Sequence, residues 1–212
     1  MDRVSLALPK GRIMEECLGF LEKTGLTPLE DPRSSRKMVI PTKRQGISLI
    51  ILRGWDIPTY VEHGAADVGI VGLDVLEEQG QDVYQPLDLK VGHCRMVVAE
   101  SEEMAGFDDP GEWTSIRVAT KYTAVANRHF QSKGVHAEII RLSGSVELAP
   151  LAGLSSRVVD LVATGRTLKD NNLVEVEEIM ISTARLIVNR ASMKLKHREI
   201  TALIREVDRW VA

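Results

Sequence analysis

Apolar and polar positions along the chain change period several times. Residues 4–8 form a short apolar run that stops at Pro9-Lys10-Gly11, and Ile13, Cys17, Phe20 and Leu21 then recur at helical spacing as far as Gly25. Residues 47–52, apolar except for Ser48, read as a buried strand. Asp56 followed by Ile57-Pro58 predicts a capped helix ending near Gly64, with Pro just inside its start. Residues 68–71 predict a further strand and 73–78 a helix. Strand-like runs return at 95–99, 116–119, 137–141 and 158–162, with a helical stretch at 124–133 between two of them. The closing segment 194–211 carries Leu195, Ile200, Leu203, Ile204 and Val207 on one face, an amphipathic helix. Short strands alternating with helices predict an α/β fold with largely parallel sheets.

A length of 212 residues suits one domain or two small lobes, at ~150 residues per typical domain. The polar stretch 100–114, with its acids, Gly106, Pro110 and Gly111, is the best sequence candidate for a boundary. A second lobe in the middle of the chain requires two crossings, and the long strand-like stretches 87–98 and 174–188 are placed to make them. The expected lobes are 1–92 plus 182–212, and 93–181. Two lobes joined by two extended strands make a hinged cleft, a common place for small ligands.

Composition narrows the function classes. With 44% hydrophobic and 27% charged residues, the chain is neither disordered nor fibrous. No stretch approaches the ~20 apolar residues that span a bilayer, and the first residues are too short a run for a secretory leader. Cys17 and Cys94 form no framework or metal quartet, read as buried small hydrophobes, and suit a reducing cytoplasm. The five histidines show no metal spacing, and His93 beside Cys94 reads as core. Aromatic content of 4% leaves few stacking platforms for nucleic acid. Charge is unevenly spread: residues 1–60 carry +3, 61–115 carry −11 and 116–212 carry +5. An anionic ligand is therefore expected against the two ends of the chain.

The strongest chemical signal is Asp160 followed by Thr164-Gly165-Arg166-Thr167. An apolar strand runs into a turn whose amides can form an anion nest, whose glycine lets the backbone approach, and whose hydroxyls can donate to phosphate oxygens. An acid shortly before it can accept hydrogen bonds from a ribose diol. By spacing alone, an ordinary Thr-capped strand-to-helix turn fits as well. Lys10 and Arg12 follow a strand end, where α/β proteins place ligand contacts, although loop cations are commonly just solvated. Arg53 ends a strand and can serve a structural ion pair or a substrate phosphate. Asp67 and Asp74 flank Gly69 and Gly72, which allow either close ligand approach or tight packing. Arg33 to Lys37 is a cationic run without interleaved aromatics, a poor nucleic-acid patch.

The stretch from Glu147 through Gly153, Ser155, Val158, Asp160, Leu161, Thr164, Gly165 and Thr167 to Leu168 resembles the signature of ATP phosphoribosyltransferases. Residues 6–12, 30–37, 53–60 and 66–74 agree with that family, in order and nearly end to end. Ser156 departs from the pattern, standing where relatives often carry Asp. The resemblance implies a two-lobed α/β fold like type II periplasmic binding proteins. It also implies transfer of a phosphoribosyl group from phosphoribosyl pyrophosphate to N1 of ATP, with Mg²⁺, whose ligands the sequence does not fix and for which Glu147 and Asp160 are candidates as they are for the ribose. It assigns Lys10, Arg12 and Arg36 to catalysis, and Glu147, Asp160, Thr164, Gly165, Arg166 and Thr167 to the activated sugar. Arg53 and Asp74 go to ATP or pyrophosphate. About 44 residues follow Leu168, too few for a regulatory domain. The short form thus expected works as a cytoplasmic dimer with a histidyl-tRNA-synthetase-like regulatory partner, and with neither nucleic acid nor membrane. A non-catalytic two-lobed binding module and a phosphoribosyltransferase acting on another base remain the rival readings. The Thr-Gly-x-Thr turn counts against the former, and an assay of the acceptor separates the latter.

Overall fold

A computed structural model describes residues 3–211. The chain divides into two compact units: Met1–Gly92 with Thr183–Ala212, and His93–Ser182. Each has its own sheet.

Unit 1 contains β1 (Val4–Pro9), α1 (Arg12–Lys23), β2 (Val39–Pro41), β3 (Ile47–Leu52), α2 (Ile57–Glu62), β4 (Val68–Gly72), α3 (Leu73–Gln79) and β5 (Tyr84–Asp88). Its sheet has the order β2-β3-β1-β4, completed by β11 (Ala184–Val188) and then β5. β1 runs parallel to both β3 and β4, with Pro9 level with Leu52, so the carboxyl ends of three neighbouring strands share one edge. Leu6, Leu8, Leu49, Ile51, Val68, Ile70 and Leu186 form one core with Met14, Cys17 and Leu21 of α1. The opposite face is covered by Ile57 and Val61 of α2. Gly69 serves this packing: a Cβ there would lie 2.7 Å from Ile57 Cγ2 and 2.8 Å from Val61 Cγ2.

Unit 2 contains β6 (Cys94–Ser101), α4 (Glu102–Ala105), β7 (Ser115–Thr120), α5 (Thr123–Ser132), β8 (His136–Arg141), α6 (Leu148–Leu151), β9 (Arg157–Val162), α7 (Arg166–Asp170) and β10 (Leu173–Ser182). The sheet order is β10-β6-β9-β7-β8. β7 is parallel to β8 and β9, whereas β6 is antiparallel to β9 and to β10. The carboxyl ends of β9, β7 and β8 again lie side by side.

Several sequence expectations need correction. Residues 100–114 are no boundary but an internal connection of unit 2. Asp108 in that stretch ion-pairs with buried Arg157, and buried Trp113 donates its indole N–H to Asp108 at 2.8 Å. Neither crossing is one continuous strand. The first is interrupted between β5 and β6, where Lys90 adopts φ +54°, and the second at Thr183 between β10 and β11. The single helix expected at 194–211 is two, α8 (Arg190–Leu195) and α9 (His197–Val211). They separate at Lys196, whose ammonium turns inward onto the Arg3 carbonyl at 2.6 Å and both Asp67 oxygens at 2.8 Å. Asp56 precedes α2 without a side-chain cap, because the chain first makes a 3-10 turn at Gly54–Asp56. His93 is exposed rather than core, since it directly precedes the first strand of unit 2. Cys17 and Cys94 are buried and free, and burial pushes the Cys17 thiol up to about 12.

Candidate functional site

The turn after β9 is the centre of the candidate site. Gly165 adopts φ +74° and ψ −3°, the left-handed conformation that glycine takes without steric cost, and α7 begins at the next residue. A Cβ at Gly165 would stand 3.6 Å from Glu175 Oε1, an ordinary contact, so backbone conformation rather than space demands glycine there. Glu147, Asp160, Thr164, Gly165, Arg166 and Thr167 all line one cavity of about 210 Å³ with Leu161, Val162, Ala163 and Leu168. The six residues expected to hold the activated sugar are therefore brought together within unit 2.

Two acids with different surroundings face this cavity. Burial is the main cause pushing the Asp160 carboxyl above its ordinary value, and the negative charge of Glu147 adds to it. A 2.8 Å hydrogen bond from the Leu161 N–H and the positive charge of Lys121 act the other way, without prevailing. Arg166 is largely exposed and lies 3.6 Å from Asp170, one helical turn away, which leaves its guanidinium access to solvent and ligand. Ser156 is not among the cavity-lining residues. Its hydroxyl donates to the Arg117 carbonyl and accepts from Arg157, both at 3.3 Å, which ties β9 to β7.

The remaining candidates belong to unit 1. Lys10, Arg53 and Asp74 follow the carboxyl ends of β1, β3 and β4, and Arg12 opens α1. The Lys10 N–H donates to the Leu52 carbonyl at 2.9 Å, which keeps the two exits in register. Arg12 donates to the Gly92 carbonyl at 3.1 Å, while Glu16, one turn along α1, accepts from the Gly92 N–H at 2.6 Å. Asp74 is buried in the first turn of α3, folded back so that a Cβ at Gly72 would come within 2.2 Å of its Oδ1. Gly72 thus makes room for a carboxylate. Arg36 is exposed in the connection before β2, two residues ahead of Met38, whose carbonyl accepts from Ile51 near the end of β3. Its neighbours are mutually paired, Arg33 with Asp31 at 2.9 Å and Lys37 with Glu30. Asp67 is structural: it accepts from Ser5, Ser192 and Lys196 and joins β1 to the C-terminal helices.

Lys121 was missed by the sequence reading. The rule that drew attention to Lys10, a cation just past a strand end, applies equally to Lys121 after β7. Among the described residues, no group of three or more His, Cys, Asp and Glu side chains could hold a metal ion. Glu147 and Asp160 are two carboxylates lining one cavity, the donor type that Mg²⁺ shares with substrate phosphates while keeping much of its water. No helix of the described residues is long and apolar enough to cross a membrane.

Comparison with known proteins agrees across sequence and structure. The family model described as "HisG: ATP phosphoribosyltransferase" matches residues 53–209. An ATP phosphoribosyltransferase of Syntrophotalea carbinolica is 52% identical over 211 residues, spanning 100% of this chain and 96% of its own length. ATP phosphoribosyltransferase 2 of Geobacter sulfurreducens is 53% identical over 210 residues and 99% of each chain. Among solved structures, a chain of the ATP phosphoribosyl transferase (HisG:HisZ) complex from Thermotoga maritima superposes with a TM-score of 0.82 at 37% identity, over 98% of both chains. The structure of Tv2483 bound to L-arginine superposes with a TM-score of 0.58 at 11% identity, over 97% of this chain and 82% of that one, a likeness of fold alone. The architecture is the α/β fold of type II periplasmic binding proteins.

Proposed function

Because the chain belongs to the ATP phosphoribosyltransferase family, we propose that it joins N1 of ATP to C1 of phosphoribosyl pyrophosphate and releases pyrophosphate, the first step of histidine biosynthesis. The observation that carries this reading is the single cavity where two carboxylates meet a hydroxyl-rich, glycine-containing turn.

In this reading the amides and hydroxyls of Thr164, Gly165 and Thr167 take the 5′-phosphate, with Arg166 adding charge. Glu147 and Asp160 accept hydrogen bonds from the ribose hydroxyls, which fixes the ring so that C1 faces its acceptor. The bond from C1 to the pyrophosphate oxygen breaks as the bond to N1 forms, through an oxocarbenium-like transition state. The N1 lone pair is already free, so no strong base is required. Negative charge grows on the leaving group instead, and Lys10, Arg12 and Arg36 are the cations assigned to it. Arg53 and Asp74 are assigned to ATP or pyrophosphate. Mg²⁺, held by the substrate phosphates with Glu147 or Asp160, would supply further positive charge at the departing pyrophosphate.

The chain works, on this proposal, as a cytoplasmic dimer of the short form with a regulatory partner similar to histidyl-tRNA synthetase. The relative from Thermotoga maritima was solved as a HisG:HisZ complex, which supports a hetero-oligomer. The buried free cysteines suit a reducing compartment. Incubation with ATP, phosphoribosyl pyrophosphate and Mg²⁺, followed by ultraviolet absorbance, tests the reaction. Product from ATP is expected. Binding without turnover, or product only with another base, would replace it with one of the rival readings.

A further inference from the structure

β10, which packs against α7, carries three acids, Glu175, Glu177 and Glu178. A bulge sorts them between the two faces of the sheet. Glu175 is level with Ala99 of β6 and Glu177 with Val98, so the register slips by one residue between them. Without the slip the two acids would share a face. With it, Glu177 turns away, to Lys133 at 2.6 Å and His129 at 3.3 Å. Glu175 stays on the face of Ala99, which belongs to the same apolar cluster as Leu168 of α7. There its Oε1 lies 3.6 Å from where a Cβ of Gly165 would stand. A carboxylate is thus held against the turn assigned to a phosphate.

Arg95 answers that charge. It is level with Val162 of β9 and alternates with Val97 and Ala99 of the cluster, so it projects to the same face. Its guanidinium grips both Glu175 oxygens, at 2.6 and 3.0 Å, and Oε1 is one of the two. Glu178, level with Val97, lies 3.6 Å from the same guanidinium. A two-point grip fixes the direction of the carboxylate as well as offsetting its charge.

We propose that Arg95 is a positioning residue for the activated sugar: by clamping Glu175 it keeps that carboxylate from contesting the turn with the 5′-phosphate. This rests on the reaction proposed above, in which Thr164, Gly165 and Thr167 take that phosphate. Arg95 is not among the cavity-lining residues and acts through Glu175. A released carboxylate this close repels a phosphate through space and competes for the same N–H donors.

Steady-state kinetics of the full chain at low and high salt, with one substrate varied and the other saturating, test the proposal. Arg95→Met is expected to raise KM for phosphoribosyl pyrophosphate about tenfold, the order expected of a unit charge a few ångströms from an anion in a partly solvated site. KM for ATP and kcat change little. The ratio of variant to parent shrinks at high salt, which screens the unpaired carboxylate. Glu175→Gln breaks the same ion pair yet does not raise KM, and added to Arg95→Met it restores the parent's value. If Arg95→Met proves too unstable to purify, Arg95→Gln removes the charge and carries the same expectation. An Arg95 variant that keeps the parent's KM overturns the role, as does a loss that high salt leaves unchanged. A Glu175→Gln variant as impaired as Arg95→Met also overturns it, since the pair is then only a brace, and so does a double variant that stays impaired. A parent chain that makes no product overturns the reaction itself, and the role with it.

Discussion

The guanidinium carbon of Arg157 lies 4.3 Å from the centre of the Trp113 ring, and the same guanidinium reaches two acids, Glu100 at 3.0 Å and Asp108. Glu100 is fully buried, and burial pushes its carboxyl above its ordinary value against the opposing pull of Arg157. One arginine at the start of β9 therefore fastens the strand to β6 and to the connection around residue 108.

Removing that arginine leaves a buried acid without its counter-charge. Arg157→Ala is expected to cost about 3–5 kcal/mol, the range for breaking one side of a buried pair. Urea unfolding of the parent and the variant measures it. A loss under about 1 kcal/mol, the scale of an exposed pair, would show that the cluster does not hold unit 2 together.

Asp67 gives acid sensitivity a location. Burial pushes its carboxyl up, but hydrogen bonds from Lys196, Ser192 and Ser5 outweigh this and hold it below the usual carboxylate range. A depressed acid stabilises the fold above its unfolded value of ~3.9 and loses that contribution as pH falls through the folded value. Asp67→Asn is expected to lose about 2 kcal/mol at pH 7. The gap between parent and variant should narrow below about pH 4. A constant gap in urea midpoints from pH 7 to pH 3 would contradict the assignment.

Gly165→Ala tests the turn. With φ at +74°, an alanine carries a conformational cost of about 1–2 kcal/mol even though its methyl group meets no clash. If the turn relaxes to escape it, affinity for phosphoribosyl pyrophosphate falls about tenfold while affinity for ATP holds, as titration calorimetry can measure. Equal weakening of both ligands would place the sugar phosphate elsewhere.

Arg12→Ala and Arg36→Ala should each lower kcat by about 10²–10³ while changing KM little, since both cations are assigned to charge that develops only as the bond breaks. Variants with normal kcat and raised KM would move them from the leaving group to ground-state binding.

Much of the architecture could be read directly from the residues, because apolar runs ended in strong punctuation. β1 stops at Pro9-Lys10-Gly11, and β9 runs into Thr164-Gly165, so both strand ends and the turn's chemistry were visible. The break between α8 and α9 was hidden, because Lys196 fits an amphipathic helix and only the distant Asp67 draws it inward. The 100–114 stretch misled for a similar reason. Its polarity signals a linker until Arg157, about fifty residues later, supplies the partner for Asp108. Edge strands β2 and β5 went unnoticed, being short, proline-containing and largely exposed. Lys121 was silent because its meaning depends on which strand lies beside β7, a pairing that no local pattern encodes.

The sheet order of unit 1 also sets a timetable for the newborn chain. β11 fills the gap between β4 and β5, yet a ribosome makes it only after all of His93–Ser182 has been made. The later-made unit therefore has every one of its strands in hand first, while the earlier half waits with an unfilled slot beside β4. A chain halted before residue 184 would own the whole cavity after β9 and an unfinished companion.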